Sequence, residues 1–416
     1  MKEQVKKWCK QPVIIVLIII LIFFTPLAIY SPGENRNRGV VTAIGIDKTN
    51  EEYEISLLTF IPTPNQTYKE LTSIITGRGE TVAEALYKAQ ISMGRKIGLA
   101  HAKTTIVSKE LLQEDVASHI DYLSRVASLP ENTVFVCSST SAKELLESSQ
   151  SLEEKIGLKL EQLIGFNANN IYVTDTSLEA FYKGYYKKVK SSIIGYLKVE
   201  DEKQDLQMTS DSAKGGGQGS TANAEGSSNN QEESKSKKTI INEGEAVLLK
   251  EGKMVDLLTI DELNGINLLN KKALNQIISI KDIELNGQKF DLSYKIKNKK
   301  VLINTKFEND IPIFSAQLIL GVELVEVKGN HKTVVINTEF SEITGEVEKA
   351  LDKEIKKQFT NALKVLRENK TDVISINEKF FNDNRKEYKK YIEKIEDIDN
   401  FINFVNFKLS LIIQPD

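Results

Sequence analysis

The chain has 416 residues, a length that suggests roughly two or three domains. Lysine and arginine number 55 against 58 aspartate and glutamate, a near balance that argues against a general nucleic-acid binder. Two cysteines exclude a disulfide framework, a four-cysteine zinc site and an iron–sulfur cluster, and three histidines disfavour a histidine-rich metal site. We therefore expect no metal or other cofactor.

The first thirty residues have the pattern of a membrane anchor. Segment 12–30 is apolar and 19 residues long, within the ~17–25 residues that a helix needs to cross a bilayer. The basic residues before it predict that segment 1–11 stays in the cytoplasm and that residues 31–416 lie on the other side. These basic residues are Lys2, Lys6, Lys7 and Lys10.

A cleaved signal peptide is the alternative for this segment, because it shares the basic start and the apolar core. Its cleavage site would need small residues, whereas Tyr30 and Pro32 stand where the apolar run ends. A lipoprotein would need a cysteine just after the run, and Cys9 lies before it. A retained helix fits these residues better. Cys9 then has a juxtamembrane position, where reversible acylation occurs in other proteins.

Residues 31–150 alternate between strand and helix patterns. Two Ser/Thr-x-x-Glu capping boxes mark helix starts, one at Thr81 and one at Ser141. The order of elements predicts a mixed sheet with helices packed on it. The expected strands are 40–47, 53–61, 103–107 and 133–137, and the expected helices begin at residues 81, 108 and 141.

Residues 201–238 interrupt this alternation. The stretch has no valine, isoleucine, phenylalanine, tryptophan or tyrosine and is dominated by small and polar residues. Such a composition cannot bury enough apolar surface to offset the entropy of ordering. From composition alone, both a linker between domains and a disordered surface loop within one domain stay open.

The C-terminal half shows a second series of strands. A hairpin pattern covers 245–260, and a short helix capped by Asp261 follows. From residue 276 to residue 337 the chain is rich in strand formers, with one of its expected turns at 298–300. These features predict a second region with its own sheet.

One long amphipathic helix is the strongest periodic pattern in the chain. Apolar residues recur at intervals of three or four along 341–368, which predicts a helix lying across a sheet. The remaining expected elements are helices at 152–164, 177–188, 374–381 and 388–395 and strands at 192–199 and 401–413.

Catalytic motifs do not emerge from the sequence. It has no nucleophile elbow, Walker loop, dinucleotide-binding glycine pattern or zinc-protease histidine pair. His101 lies just before a predicted strand without an evident catalytic partner, so we expect a structural or interface role. His119 falls on the polar face of its predicted helix, where a solvated side chain is expected. We therefore predict a protein that is not an enzyme.

Five segments in this order resemble the Ger(x)C family, the C subunit of bacterial spore germinant receptors. The first is a strand ending Gly-Ile-Asp with Gly45 and Asp47, and the second is a Gly-x-Thr-x-x-Glu-Ala helix start with Gly79 and Glu84. The third is a segment similar to Gly-His-x-Lys with His101 and Lys103. The fourth is a strand–turn–strand pattern with Gly252 followed by Asp261 and Glu262, and the fifth covers residues 371–404 before a last strand.

The resemblance implies a fold of α/β (α+β) class with three mixed α/β domains, each a mixed sheet with packed helices. In this chain they follow the N-terminal transmembrane helix expected from segment 12–30. The implied domains are 31–150, 151–275 and 276–416, with 201–238 as a loop inside the middle one. Family members typically carry a lipid anchor at a cysteine, and in this chain the segment 12–30 takes that place.

The resemblance also implies a function. The protein would be a non-catalytic, membrane-anchored C subunit of a germinant receptor, on the outer face of the inner spore membrane. Its partners would be the receptor A and B subunits, and it would bind no nucleic acid. Gly45, Asp47 and His101 would then act through folding or assembly. The alternatives are a membrane-tethered ligand-binding or scaffold protein outside germination and, less favoured, a cell-wall hydrolase.

Overall fold

A computed structural model of the chain describes residues 38–61, 71–150, 175–201, 238–271, 273–285, 287–329, 332–334 and 343–416. The predicted anchor 12–30, the predicted helix 152–164 and most of the polar stretch 201–238 lie outside these residues. Among the helices that the structure describes, none is both long and apolar enough to cross a bilayer.

A ten-stranded mixed sheet dominates the N-terminal part of the described chain. Its strands are β1 (Arg38–Thr49), β2 (Glu52–Ile61), β3 (Leu71–Gly79), β4 (Lys96–Gly98), β5 (Thr104–Ser108), β6 (Val134–Ser138), β7 (Ser191–Asp201), β8 (Lys238–Ile241), β9 (Ala246–Lys250) and β10 (Lys253–Leu258). The order is β10-β9-β7-β6-β5-β1-β2-β3, with β4 beside β1 and β8 beside β7. The central strands β7, β6, β5 and β1 run parallel, and antiparallel strands flank them.

Both faces of this sheet are covered, so the central strands β5 and β6 are buried on both sides. The helices α1 (Val82–Met93), α2 (Val116–Arg125) and α4 (Leu178–Tyr185) share one apolar core with the first face. The helix α3 (Ala142–Gln150) packs on the opposite face. The strands expected in a middle domain, β7, β9 and β10, extend this sheet instead of forming a separate one. The division into three domains stays a prediction.

A second mixed sheet of five strands follows the helix α5 (Ile260–Asn267). The strands β11 (Ile277–Leu285), β12 (Gln288–Glu308), β13 (Ile311–Gly329) and β14 (Lys332–Val334) are antiparallel neighbours, and β15 (Asn406–Pro415) runs parallel to β13. The helix α6 (Gly345–Glu368) lies across this sheet. The predicted apolar stripe is confirmed, because Val347, Leu351, Ile355, Phe359 and Leu363 all belong to the core beneath it.

The two sheets share a further core. Ile193 and Leu248 from the first sheet are buried in one cluster with Phe314 from the second, together with the end of α6. The helices α7 (Ile376–Asp383), α8 (Arg385–Ile395) and α9 (Phe401–Phe404) complete this cluster. Apolar packing therefore continues from one sheet to the other.

Four local predictions were wrong. The turn expected at 298–300 is instead a β-bulge within β12, where the register shifts between Ile296 and Asn298. The short helix is capped by Thr259, not Asp261, in a full capping box. Residues 401–404 are helical, so the last strand begins only at residue 406. The helix expected to begin at residue 108 begins instead at Val116, capped by Asp115, after a short 3-10 turn at Leu111–Gln113. In addition, the strand β3 was not predicted.

Candidate functional site

Asp47 joins the end of β1 to the start of α3. Its carboxylate oxygens accept hydrogen bonds from the backbone N–H groups of Ala142 at 2.7 Å and Lys143 at 3.0 Å. These are first-turn donors that no intrahelical carbonyl can satisfy. Burial raises the pKa of the Asp47 carboxyl, and the two amide bonds oppose that shift. Asp47 therefore caps a helix that begins 95 residues later in the chain.

Gly45 lets the same helix approach β1. A Cβ atom at this position would lie 3.1 Å from the Cβ of Ala142 and 3.1 Å from Cδ1 of Leu146. That spacing is tighter than ordinary van der Waals contact between carbon atoms. Gly45 and Asp47 thus serve one junction, between the sheet and α3.

Gly79 and Glu84 meet at the start of α1. The hydroxyl of Thr81 accepts a hydrogen bond from the N–H of Glu84 at 3.1 Å, as a helix cap does. The Glu84 carboxylate accepts from the N–H of Glu80 at 2.9 Å, one residue before the position that a full capping box would use. A Cβ atom on Gly79 would lie 2.7 Å from the backbone nitrogen of Ala85, so this turn requires glycine.

Gly252 joins the β9–β10 turn to α2 and α4. Its φ of +77° lies in the left-handed region, and a Cβ atom there would lie 2.0 Å from Oδ1 of Asp115. Its carbonyl accepts from the N–H of Val116 at 3.0 Å. Asp115 caps α2 through the N–H of Ala117 and accepts from the hydroxyl of Tyr185 at 2.7 Å. The hydrogen bond that its hydroxyl donates to this carboxylate raises the pKa of Tyr185 to about 12.

His101 and Lys103 lie apart from these junctions. His101 ends a short 3-10 turn and is exposed. The backbone of Lys103 bonds to Thr42 and Val134 at 2.8 Å each, in the ladder of the first sheet. The predicted residues therefore do not converge on one cleft. They form separate junctions at α1, α2 and α3, with His101 on the surface.

The prediction for His119 was wrong, because its side chain is only 8% exposed. Its Nδ1 lies 2.6 Å from the hydroxyl oxygen of Tyr53, and its Nε2 lies 3.1 Å from a carboxylate oxygen of Glu114. Lys48 donates to the same carboxylate at 2.8 Å. Burial lowers the pKa of His119.

This chain of polar groups joins the β1–β2 hairpin to α2. His119 follows Val116 by three residues and precedes Leu123 by four, so it flanks the apolar stripe of α2, and the helix period itself indicates a buried position. The described residues hold no group of three or more metal-ligating side chains. Cys137 is a buried free thiol whose pKa burial raises to about 12, so it remains a protonated core residue.

Two family models match the chain in succession. Residues 34–199 match the model described as Spore germination protein N-terminal domain, and residues 243–408 match the one described as Spore germination B3/GerAC like, C-terminal. Together they span both sheets, which places this protein among spore germination proteins. The chain belongs to the Ger(x)C family.

Individual relatives agree with this family. The chain is 21% identical over 390 residues to Spore germination protein KC of Bacillus subtilis (strain 168), across 90% of this chain and 88% of the relative. The fold is similar to that in the crystal structure of the GerBC protein, with a TM-score of 0.51 at 14% identity, over 89% of this chain and 96% of that one.

Proposed function

We propose that this protein is the non-catalytic C subunit of a spore germinant receptor and assembles with the receptor A and B subunits. The observation that carries the proposal is the succession of the two family matches, 34–199 and 243–408, over the two sheets. The helix junctions around Asp47, Gly79 and Gly252 fit such a subunit, because they shape a rigid body instead of gathering reactive groups. The residues at these junctions support folding and assembly.

The segment 12–30 anchors this subunit in the inner spore membrane, with residues 31–416 on the outer face. Its length and the lysines before it support this part of the proposal. Only seven residues separate Tyr30 from Arg38, where β1 begins. An extended chain of that length reaches about 30 Å at most. The start of β1 therefore lies within about 30 Å of the bilayer surface.

The experiment is a pull-down from the inner membrane of dormant spores, with a C-terminally tagged chain and mass spectrometry of the bound proteins. We expect a receptor A and a receptor B subunit to accompany the tagged protein. A matched variant, in which a cleavable signal peptide replaces residues 1–30, should be exported but recovered with less of both partners. Recovery of the tagged protein without receptor subunits, or its absence from spores, would overturn the proposal.

A further inference from the structure

A surface groove of about 560 Å³ lies between α2 and α4, outside the junctions described above. The last turns of α2 form one side, α4 forms the other, and the loop that precedes β6 contributes Glu131. The residues that line it are Asp121, Ser124, Arg125, Glu131, Glu179, Tyr182, Lys183 and Tyr186.

Two stacked tyrosines present an aromatic surface in this groove. The rings of Tyr182 and Tyr186 lie 6.0 Å apart with an interplanar angle of 16°. The hydroxyls of Tyr182 and Ser124 are 3.2 Å apart, which holds the inner ring against α2. Tyr186 is 77% exposed, the largest exposed fraction among the large hydrophobic side chains of the described residues. The groove thus offers to solvent the ring of Tyr186, which is stacked on that of Tyr182.

The charges around the tyrosines leave an excess of carboxylate. Arg125 pairs with Asp121 at 3.0 Å along α2, and Lys183 pairs with Glu179 along α4. Both pairs are internal to their own helices, and Lys183 also interacts at longer range with Glu131. Glu131 has no ion pair at salt-bridge distance among the residues that the structure describes. The groove therefore carries one more negative charge than positive.

A stacked aromatic face beside a carboxylate is the arrangement that binds a guanidinium group. The cation lies over the ring, and the carboxylate accepts its N–H donors. Arginine fits better than lysine, because its planar group stacks on a ring and bonds to a carboxylate in the same pose.

The exposure of the groove to solvent favours a protein segment over a free small molecule as its ligand. Sites for small molecules usually enclose most of the ligand surface. Here the outer ring stands in solvent, and the next residue after Arg125, Val126, is 52% exposed. An extended aromatic and apolar surface of this kind is typical of a protein interface, where tyrosine is enriched.

We infer that this groove docks an arginine-bearing segment of a partner protein, with the guanidinium on Tyr186 and paired with Glu131. The inference is carried by the geometry of α2 and α4 and does not depend on the receptor role proposed above. If the groove does not bind arginine, the proposed role as a receptor subunit still stands.

The test is isothermal titration of the purified full chain in detergent with a capped peptide of alternating arginine and glycine. We expect binding that weakens with added salt. Tyr186→Ala should weaken it about fivefold, since an exposed cation–π contact contributes that much. Glu131→Gln should weaken it by a similar factor and reduce the salt dependence. Tyr87→Ala and Glu110→Gln, which remove an exposed tyrosine and an exposed carboxylate elsewhere, should leave it unchanged.

Several results would overturn the inference. They are no binding of the arginine peptide at millimolar concentration, equal binding of a matched glutamate peptide, or equal losses in the groove variants and the two controls. N-acetyl-arginine amide binding as tightly as the peptide would indicate a small-molecule site instead. Self-association of the chain that Tyr186→Ala abolishes would indicate that a second copy occupies the groove.

Discussion

Asp47 combines a structural bond with a buried charge. Its two amide partners belong to a helix of nine residues, which is too short to be stable in isolation. The carboxylate therefore stabilises α3 only when β1 is already in place. A side chain of this kind is a helix cap supplied by tertiary structure, and its loss affects the sheet and the helix together.

Replacement of Asp47 tests this role. We expect Asp47→Ala to lower the free energy of unfolding by about 2 kcal/mol, because two buried N–H groups lose their acceptors. Asp47→Asn keeps one acceptor oxygen and should lose less. Glu52→Ala, which removes an exposed carboxylate on the neighbouring strand, is the control and should stay within about 0.5 kcal/mol of the parent. Urea unfolding measures all three, and equal losses for Asp47→Ala and Glu52→Ala would contradict the capping role.

His119 gives the protein a pH dependence of known sign. Burial lowers its pKa in the folded state, so the unfolded chain takes up a proton at a higher pH than the folded chain does. The free energy of unfolding should therefore fall as the pH drops below about 6.5, the ordinary histidine value. His119→Gln should flatten this slope, whereas His101→Gln at the exposed histidine should retain it. Urea unfolding from pH 7.5 to pH 5 measures the slopes, and identical slopes for both variants would contradict the assignment.

At the scale of elements, glycines decide how closely helices approach the first sheet. Gly77 on β3 makes the tightest of these contacts with the backbone of α1, since a Cβ atom there would lie 2.2 Å from the carbonyl oxygen of Ala85 and 2.3 Å from the nitrogen of Ala89. Backbone atoms cannot move aside as a flexible side chain can. The helix as a whole would have to shift.

Gly77→Ala should therefore cost about 1–3 kcal/mol of stability, the usual range for overpacking. Gly98→Ala is a matched control, because no atom lies within 4 Å of its Cβ position and its φ is −116°. That substitution should be neutral or slightly stabilising. Thermal unfolding of both variants compares them directly, and a neutral Gly77→Ala would show that α1 has room to move.

The sequence predicted elements best where one local pattern determined them. The apolar stripe of α6 and the threonine cap of α1 are both confirmed, because periodicity and capping are local properties of the sequence. The bulge near Asn298 was misread as a turn, because asparagine and lysine favour turns and strand register depends on the partner strand.

The candidate site was less predictable than the elements. The resemblance singled out Gly45 and Asp47, but their contact with Ala142 depends on the sheet order. The hydrogen-bond partner of His119, Tyr53, lies in another element. Such long-range pairings leave no periodic signal in the chain.

At the scale of the whole molecule, the two sheets are held together by a shared core and by polar contacts. Leu248 of the first sheet is fully buried in this core. Nearby, Lys250 pairs with Asp399 at 2.9 Å, and the N–H of Asp372 donates to the hydroxyl of Ser191 at 3.1 Å. Apolar and polar contacts at one boundary should make the two sheets unfold together.

Leu248→Ala tests this cooperativity. We expect a loss of about 3 kcal/mol from the cavity, with a matching loss of amide protection in both sheets. Val255→Ala, at a partly exposed position on β10, should change little. Hydrogen exchange measured by mass spectrometry resolves the two sheets. Reduced protection confined to the first sheet would contradict cooperative unfolding.

The strand order has a consequence for how the chain can be divided. β7 ends the region of the first family match, yet it pairs with β9, which belongs to the second. β8 pairs with β7 directly across the polar stretch. A nick in the chain between Asp201 and Lys238 would break one covalent link and none of these ladders. The two fragments would stay associated through the pairing of β7 with β8 and β9. The length of the tract between them can change through evolution at little energetic cost, because the entropy of loop closure rises slowly with loop length.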